Sequence, residues 1–463
     1  MAKTTYKCSN CGHETAKWAG KCIQCNEWNT YEEKQGADTS ARAGISSQGV
    51  VRTPSLPAKR VREINSNTDT RRFSTGISEL DRVLGGGMVP GGVVLLAGEP
   101  GAGKSTLTTI LAHKFAELGH KSLIISSEES IDQISLRARR LSATSDNMYI
   151  ASETSLELSL GHIEDVQPNL IIVDSIQTMA SEDISSSSGS IKQVVEVTTI
   201  LTRTAKRLGI PLVLIGQVTK EGTIAGPKAV EHLVDVVLHF EGDKDSSLRI
   251  LRGIKNRYGP ADEIGCFEHT DDGLEEIPDP SGLLIGTRNE PIPGVATAII
   301  VEGRRPLPVE VQALVAGSQL PVPRRAVSGL DINRAIMVQA VLERHGRIQL
   351  ANKDIYISTI AGMRTKEPSM DLALAIALVS AQRNVALPLH TAIIGEVTLS
   401  GEVRPVRGSL RRVREAQRLG FKNLILSHDP HFDVQSVNGM NIMEVRTIQD
   451  ALRHLDQIAH SVD

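Results

Sequence analysis

The chain of 463 residues has few aromatic side chains, few cysteines and almost no net charge. Aromatic residues make up 3%, so the hydrophobic cores must be built mainly from aliphatic side chains. The net charge of −3 means that any nucleic-acid binding must come from local basic patches. No run approaches the roughly 18 uncharged apolar residues of a membrane-spanning helix. The first residues, MAKTTYKCSNCG, contain no apolar secretion signal, so we expect a cytoplasmic protein without membrane contact.

The five cysteines are unevenly distributed, because four of them form two CxxC pairs near the start of the chain and Cys266 stands alone. Two such pairs bring four thiolates to one ion in the tetrahedral geometry that zinc prefers. Iron is the main alternative metal, and a redox pair is the alternative without a metal. We therefore predict a zinc site, and its four ligands are Cys8, Cys11, Cys22 and Cys25.

The distribution of apolar residues divides the chain into four segments. Residues 1–32 form the cysteine-rich module, and residues 33–65 are polar and basic, as is typical of a flexible linker. Over residues 66–280, uniformly apolar runs alternate with helical segments, which predicts an α/β domain whose parallel sheet is covered on both faces. Short strands and an Ala/Leu-rich helix then predict an α+β domain over residues 285–463.

The sequence GEPGAGKST lies between an apolar run and a helical segment and matches the phosphate loop GxxxxGK[ST]. Its glycines allow backbone N–H groups to surround phosphate oxygens, and the following helix adds its positive end. Lys104 is expected to bind the β- and γ-phosphates, and Ser105 to bind Mg²⁺, so ATP and Mg²⁺ are the predicted ligands. The predicted nucleotide-binding residues are Gly98, Glu99, Pro100, Gly101, Ala102, Gly103, Lys104, Ser105 and Thr106.

Polar residues at the ends of three further apolar runs predict the rest of the catalytic site. Asp174 ends LIIVD, where a carboxylate holds Mg²⁺ through water; a turn-capping carboxylate is the alternative. Glu128 and Glu129 follow another run, and we expect one of them, with Glu128 favoured, to be the general base that activates water. An acidic pair at a helix N-terminus is the alternative. Gln217, at the end of the third run, is placed to sense the γ-phosphate.

The order of these motifs resembles that of the bacterial RadA (Sms) proteins, a family of RecA-like ATPases of DNA recombination and repair. The resemblance extends through SSEES, LIIVDSIQT, IGQVTKEGTIAGP and the module CGHETAKWAGKCIQCNEWNT, and it covers the chain except for the linker. The chain differs from the family's usual residues at Ser127 (glycine) and at Gln217 (histidine), and the second difference bears on the sensor role. A five-residue segment is similar to the family motif KNRFG and consists of Lys255, Asn256, Arg257, Tyr258 and Gly259.

This resemblance implies a homo-hexameric ring that binds single-stranded and branched DNA and drives branch migration of recombination intermediates. It also suggests a RecA-type recombinase or a replication helicase as a protein partner. Lys255 and Arg257 would reach the γ-phosphate of a neighbouring subunit, as arginine fingers do; a solvated pair on a strand is the alternative. DNA would contact loops near residues 181–193 and 219–228.

The last segment resembles the proteolytic domain of Lon in EPSMD and in EVTLSGEVRPV. Ser369 falls at the position of the Lon nucleophile, whereas Leu410 falls at the position of the catalytic lysine, so the serine has no base. Arg411 cannot replace that lysine, because a guanidinium group stays protonated. We therefore expect Ser369 to be a helix N-cap and the Lon-like domain to be proteolytically inactive.

Arginines recur on one predicted helix of the same domain, which gives this helix a basic face. Such a face can bind the phosphates of a DNA backbone, and a solvated helix face is the alternative. The candidate DNA contacts are Arg407, Arg411, Arg414 and Arg418.

Three classes of function remain. An ATP-driven DNA motor is favoured, and the loss of the lysine at position 410 counts against an ATP-dependent protease. A regulatory ATPase switch, which would use a RecA-like ring without moving on DNA, is the third class. Stimulation of ATP hydrolysis by single-stranded DNA would distinguish the motor from the switch.

Overall fold

The computed structural model describes residues 5–9, 14–15, 18–23, 25, 30–34, 60, 72–187, 189–217, 229–242, 246–286, 288–432, 437 and 439–459. The chain divides into two compact units, Met1–Ser66 and Asn67–Asp463. In the first unit, the described residues form an antiparallel sheet with Thr5–Cys8 (β1) between Glu14–Thr15 (β2) and Tyr31–Lys34 (β3). Most of the predicted linker lies outside the described residues.

The second unit contains a sheet of nine strands within the described ranges. Six neighbouring strands are parallel, as the apolar runs predict. The other three add an antiparallel edge that the apolar runs do not reveal. The spatial order is Gly273–Glu276 (β12), Ile264–Thr270 (β11), Leu248–Asn256 (β10), Val236–Glu241 (β9), Val93–Gly98 (β4), Leu212–Gln217 (β8), Leu170–Asp174 (β7), Ser122–Ser126 (β5) and Met148–Ser152 (β6).

Helices cover both faces of this sheet, which explains why its central strands are apolar throughout. Val94 of β4 packs in one core with Leu107 of a helix, and Val93 packs in another core with Val197. Successive side chains of a strand point to opposite faces, so a strand buried on both sides has no polar face. The helices are Ser78–Leu84 (α1), Lys104–Glu117 (α2), Ile131–Arg140 (α3), Leu156–Val166 (α4), Ile191–Leu208 (α5) and Ala229–Leu233 (α6).

A mixed sheet of seven strands follows in the described part of the chain, with helices and a short ribbon. The Ala/Leu-rich helix that the sequence predicts packs against the middle strands of this sheet, and it is buried from Met370 to Ser380. The strands are, in spatial order, Arg325–Ser328 (β15), Lys353–Thr359 (β16), Arg305–Gly317 (β14), Val295–Glu302 (β13), Thr391–Ile394 (β17), Asn423–Ser427 (β20) and Asn441–Val445 (β21). The other elements are Ser281–Leu284 (α7), Ile332–Arg344 (α8), a 3-10 turn at Ile360–Gly362, Met370–Arg383 (α9), Glu396–Val397 (β18), Val403–Arg404 (β19), Ser409–Arg418 (α10) and Ile448–Ala459 (α11).

The two large sheets of the second unit share one hydrophobic core. Leu248 and Ile250 of β10 pack in the same cluster as the residues of β14 and α9. A buried ion pair crosses the same junction, because Arg305 donates to Glu79 at 2.6 Å. Cys266 lies in this core, and burial raises the pKa of its thiol to about 11. We retain residues 66–280 and 285–463 as proposed domains, and this shared core joins them.

Among the described residues, no helix has both the length and the apolar character that crossing a membrane requires.

Candidate nucleotide and metal sites

The phosphate loop connects β4 to α2 as the motif predicts, and it closes around its own lysine. Lys104 Nζ donates to the carbonyl oxygens of Gly98 and Glu99, at 2.9 Å each. Gly103 has φ +102°, in the left-handed region that favours glycine. A side chain at Gly98 would place its Cβ only 2.4 Å from the carbonyl oxygen of Phe240. The two glycines are therefore required by the backbone path, and they leave the loop's N–H groups to the nucleotide.

Lys104 is buried at the start of α2, next to two carboxylates. Burial lowers the pKa of Lys104, and the negative charges of Asp174 and Glu128 oppose this shift only in part. A buried cation attracts an anion strongly, because little water competes for it. Lys104 is therefore suited to bind the oxygens of the phosphate group that is transferred.

Asp174 lies at the end of β7, directly beside the phosphate loop. Burial raises the pKa of Asp174, and a hydrogen bond with the Ser105 side chain opposes this shift. A carboxylate and a hydroxyl side by side are oxygen donors of the kind that Mg²⁺ takes. Ser105 and Asp174 therefore fit the predicted metal, which when bound would add positive charge beside the phosphates.

Glu128 and Gln217 meet above the same edge of the sheet. In the strand register Gln217 lies opposite Gly98, and Ser126 opposite Asp174. Val173 lies opposite Leu214, so the four parallel strands end within about two residues of one another. Gln217 Nε2 donates to Glu128 Oε1 at 3.2 Å. The structure thus brings together the predicted phosphate, metal, base and sensor residues.

Glu129 forms an ion pair with the Arg137 guanidinium, whereas Glu128 accepts from Gln217. Arg137 also donates to the Thr109 hydroxyl on α2, at 3.2 Å. Of the two candidate bases, Glu128 is the one whose charge acts on Lys104, whereas Glu129 pairs with Arg137, the residue that ties α3 to α2.

The KNRYG segment lies at the opposite edge of the sheet from its own phosphate loop. The phosphate loop is at the carboxyl ends of the parallel strands, and KNRYG is at their amino ends. Asn256 pairs with Val236, and Val236 pairs with Val94 at the start of β4, whereas the phosphate loop follows Gly98. Four residues of strand separate these positions, roughly 13 Å. Lys255 and Arg257 are thus too far away to act on a phosphate bound to the same chain.

Asp235 anchors this segment, and the sequence motifs did not single it out. Burial raises the pKa of Asp235, but hydrogen bonds from Lys206, the Val93 backbone N–H and Tyr258 hold it below its ordinary value. Arg257 also donates to Asp235 at 3.0 Å, with about half of its side chain (51%) exposed. Lys255 donates to the carbonyl oxygens of Glu231 and Val234. The clue that the sequence offered was an aspartate directly before the apolar run VVLHF.

Three cysteines converge in the first unit. The Sγ atoms of Cys8, Cys22 and Cys25 lie within 4.8 Å of one another, and Cys8 and Cys25 are 3.7 Å apart. Four thiolates at Zn–S bonds of about 2.3 Å would place sulfurs about 3.8 Å apart, so this spacing fits a tetrahedral metal. Cys11, the fourth predicted ligand, lies outside the described residues.

In the Lon-like region, the structure corrects two details. Ser369 precedes α9, but its hydroxyl makes no capping bond; it donates to Glu367 instead. Leu410 does not face this serine and is 42% exposed. The residue that does is Arg412, which is buried and donates to Ser369 Oγ at 3.0 Å and to both Glu367 oxygens. The serine hydroxyl therefore bonds to the ion pair of Glu367 and Arg412, whose guanidinium stays protonated, and not to a lysine amine.

The arginines on α10 differ in their surroundings. Arg411 and Arg414 are exposed, as is Arg407 in the preceding turn. Arg418 is paired with Glu415 and with Asp279, and its guanidinium lowers the pKa of Asp279 to about 2. Pairing reduces the contribution of Arg418 to a phosphate-binding face.

One of the two predicted DNA loops lies among the described residues. Gln193 is buried, and its amide nitrogen donates to the carbonyl oxygens of Ser181, Ile184 and Ser186 at 3.1–3.2 Å. This bonding anchors the loop to α5. Residues 219–228 lie outside the described residues.

Comparisons with known proteins agree with this architecture. A family model described as AAA domain matches residues 57–223, and one described as Rubredoxin metal binding domain matches residues 6–33. A model described as Subunit ChlI of Mg-chelatase matches residues 333–430, within the Lon-like region. These matches confirm the ATPase core, the N-terminal metal-binding ribbon and the Lon-like C-terminal region.

Several curated relatives cover almost the whole chain, and each is called DNA repair protein RadA. The relative from Mycobacterium tuberculosis H37Rv is 47% identical over 99% of this chain and 94% of its own. That from Mycolicibacterium smegmatis is 45% identical over 99% and 98%. That from Escherichia coli K12 is 41% identical over 98% and 99%. Such identity over complete chains confirms the resemblance seen in the motifs: the chain belongs to the RadA family of DNA repair proteins.

Proposed function

We propose that the protein hydrolyses ATP and uses the energy to move on single-stranded DNA, driving branch migration of recombination intermediates during DNA repair in the cytoplasm. The observation that carries this proposal is the division of the catalytic groups between two edges of one sheet. Lys104, Asp174 and Glu128 lie at one edge, and Arg257 lies at the other. The relatives' shared name, DNA repair protein RadA, supports the biological setting.

At the first edge, each group has one task. The phosphate loop binds the phosphates, and Lys104 donates to the oxygens that gain charge during transfer. Glu128 accepts a proton from the attacking water. Gln217 holds Glu128 until a γ-phosphate oxygen competes for its amide, and this competition lets the site register that ATP is bound.

At the second edge, Lys255 and Arg257 complete a site on another subunit. A head-to-tail ring brings the KNRYG edge of one subunit against the phosphate loop of the next, and six subunits are the number that we propose. The exposed half of Arg257 is available for that contact. Hydrolysis then requires assembly, which couples neighbouring subunits during movement on DNA.

DNA would be held by contacts to phosphates. The loop anchored by Gln193 and the predicted loop 219–228 would contact single strands, and the exposed Arg407, Arg411 and Arg414 would contact duplex arms, with Arg418 less available because of its ion pairs. The Lon-like domain serves as a scaffold for the ring and has no protease activity, because Leu410 replaces the Lon lysine and the Ser369 hydroxyl bonds to the ion pair of Glu367 and Arg412.

The experiment that tests the proposal measures ATP hydrolysis with and without single-stranded DNA, together with the particle mass with and without ATP. A motor predicts faster hydrolysis with DNA and a hexameric mass under turnover conditions. A regulatory switch predicts the ring without stimulation by DNA, and that result would contradict the motor. A monomeric mass with full activity would contradict the shared site.

The metal site gives a separate prediction, for which we propose zinc with Cys8, Cys11, Cys22 and Cys25 as ligands. Cys22→Ala should release one zinc ion per chain and unfold only the first ~30 residues, because a module this small depends on its metal for folding. ATP binding should be unchanged. Metal analysis of protein purified without chelators checks this, with Cys266→Ala as the control that keeps the metal. Iron in place of zinc, or no metal, would contradict it.

A further inference from the structure

Three hydroxyl groups lie directly behind Glu128. Ser127 Oγ donates to the Ser175 carbonyl oxygen at 2.7 Å and lies 2.6 Å from Thr178 Oγ1. Ser175 Oγ donates to Glu128 Oε1. These residues come from two chain segments: Ser127 follows β5, whereas Ser175 and Thr178 follow β7.

The hydroxyl protons can be assigned without conflict. Ser127 has one proton, which the Ser175 carbonyl oxygen accepts at 2.7 Å. Thr178 then donates to Ser127 Oγ at 2.6 Å, which is closer to it than the same carbonyl oxygen at 3.2 Å or Ser175 Oγ at 3.3 Å. Ser175 is then left to donate to Glu128. The result is a directed series, Thr178 to Ser127 to the Ser175 backbone, and it holds in place the backbone of the residue whose hydroxyl donates to the carboxylate.

This series joins the two turns that carry the catalytic carboxylates. Ser127 N donates to the Asp174 carbonyl oxygen at 2.8 Å, so both the backbone and the side chain of Ser127 bind the segment after β7. Ser175 is buried and Ser127 is half-buried, so water competes weakly for these bonds. Glu128 itself is exposed and, among the described residues, is held only through Oε1, by Ser175 and Gln217. Its orientation therefore depends on where the Ser175 hydroxyl points.

We propose that Ser127 is a positioning residue for Glu128, acting through Ser175 and supported by Thr178. This inference rests on the proposed role of Glu128 as the general base. Ser127 does not touch ATP; it narrows the range of carboxylate orientations, and a loosely held base transfers a proton less often.

The test compares steady-state ATP hydrolysis by the full chain with variants that remove or retain each hydroxyl. Ser127→Ala should lower kcat about three- to tenfold, the effect of one hydrogen bond on the barrier, with KM for ATP unchanged. Thr178→Val, which keeps the shape and removes the hydroxyl, should lower kcat similarly, and Thr178→Ser should restore it. The double variant Ser127→Ala/Thr178→Val should have the same kcat as either single variant, because each substitution interrupts the same series of hydrogen bonds.

Ser130→Ala is the matched control. Ser130 lies in the same SSEES segment, but its hydroxyl accepts from Gln133 N and caps α3. Its loss should lower stability without changing kcat, which separates positioning from general weakening of the fold. If Ser127→Ala does not fold, the Thr178 pair carries the test.

Two outcomes would overturn the inference, and they differ from failure of the proposed function. A kcat within twofold of the unchanged protein in both Ser127→Ala and Thr178→Val, while Glu128→Gln is inactive, refutes positioning and leaves the base in place. An increase of KM alone refutes it as well, because it assigns the hydroxyls to ATP binding. Full activity of Glu128→Gln would instead refute the role of the base itself.

Discussion

Mixing two inactive variants, Arg257→Ala and Lys104→Ala, should restore ATP hydrolysis. Alone, Arg257→Ala should bind nucleotide but lose turnover by roughly a thousandfold, as when an arginine finger is removed. Lys104→Ala should lose turnover because its own site lacks the phosphate-binding cation. In a mixed ring, about a quarter of the interfaces pair the intact loop of one variant with the intact finger of the other. Hydrolysis rates of the mixture against each parent check this result.

Lys206→Ala is the control for the finger. Lys206 and Arg257 both donate to Asp235 at 3.0 Å, so both substitutions weaken the same buried carboxylate site. Only Arg257 is expected to meet a phosphate of the neighbouring subunit, and Lys206→Ala should therefore retain turnover. If both variants fail equally, Arg257 serves to neutralise Asp235. If the mixture never exceeds its parents, the finger does not act between subunits.

Glu128→Gln should lower kcat by about a hundred- to ten-thousandfold, the effect of losing a general base, and leave ATP binding intact. The amide keeps the size of the side chain and can still bond to Ser175 and Gln217, but it cannot take a proton from water. Single-turnover hydrolysis, with nucleotide binding measured separately, tests this expectation.

Glu129→Gln is the matched control, since the two glutamates are adjacent in sequence. The neutral amide would weaken the ion pair with Arg137, which joins α3 to α2, so a small loss of stability is expected with turnover largely retained. The opposite result, with Glu129→Gln inactive and Glu128→Gln active, would move the role of the base to Glu129.

Much of the ATPase core could be predicted from the sequence, because its elements are encoded by short contiguous patterns. The apolar runs before the phosphate loop, Asp174 and Gln217 form parallel strands that end at Gly98, Asp174 and Gln217. A strand buried on both faces must be apolar, and a phosphate loop must contain glycine, so neither depends on distant residues. The antiparallel edge, β10 to β12, was not predicted because its packing against the C-terminal core depends on distant residues.

The sequence by itself determined which chemical groups this protein has: a phosphate loop, two CxxC pairs, an acidic pair and a KNRYG segment. Only the tertiary structure decided which of them meet. The strand register places Glu128, and not Glu129, over the phosphate loop. It directs Arg257 to Asp235, and helix packing places Arg412, instead of Leu410, against Ser369. These placements depend on contacts between residues that are far apart in the chain. The energies of such contacts are set by burial and strand register, and local sequence patterns do not encode them.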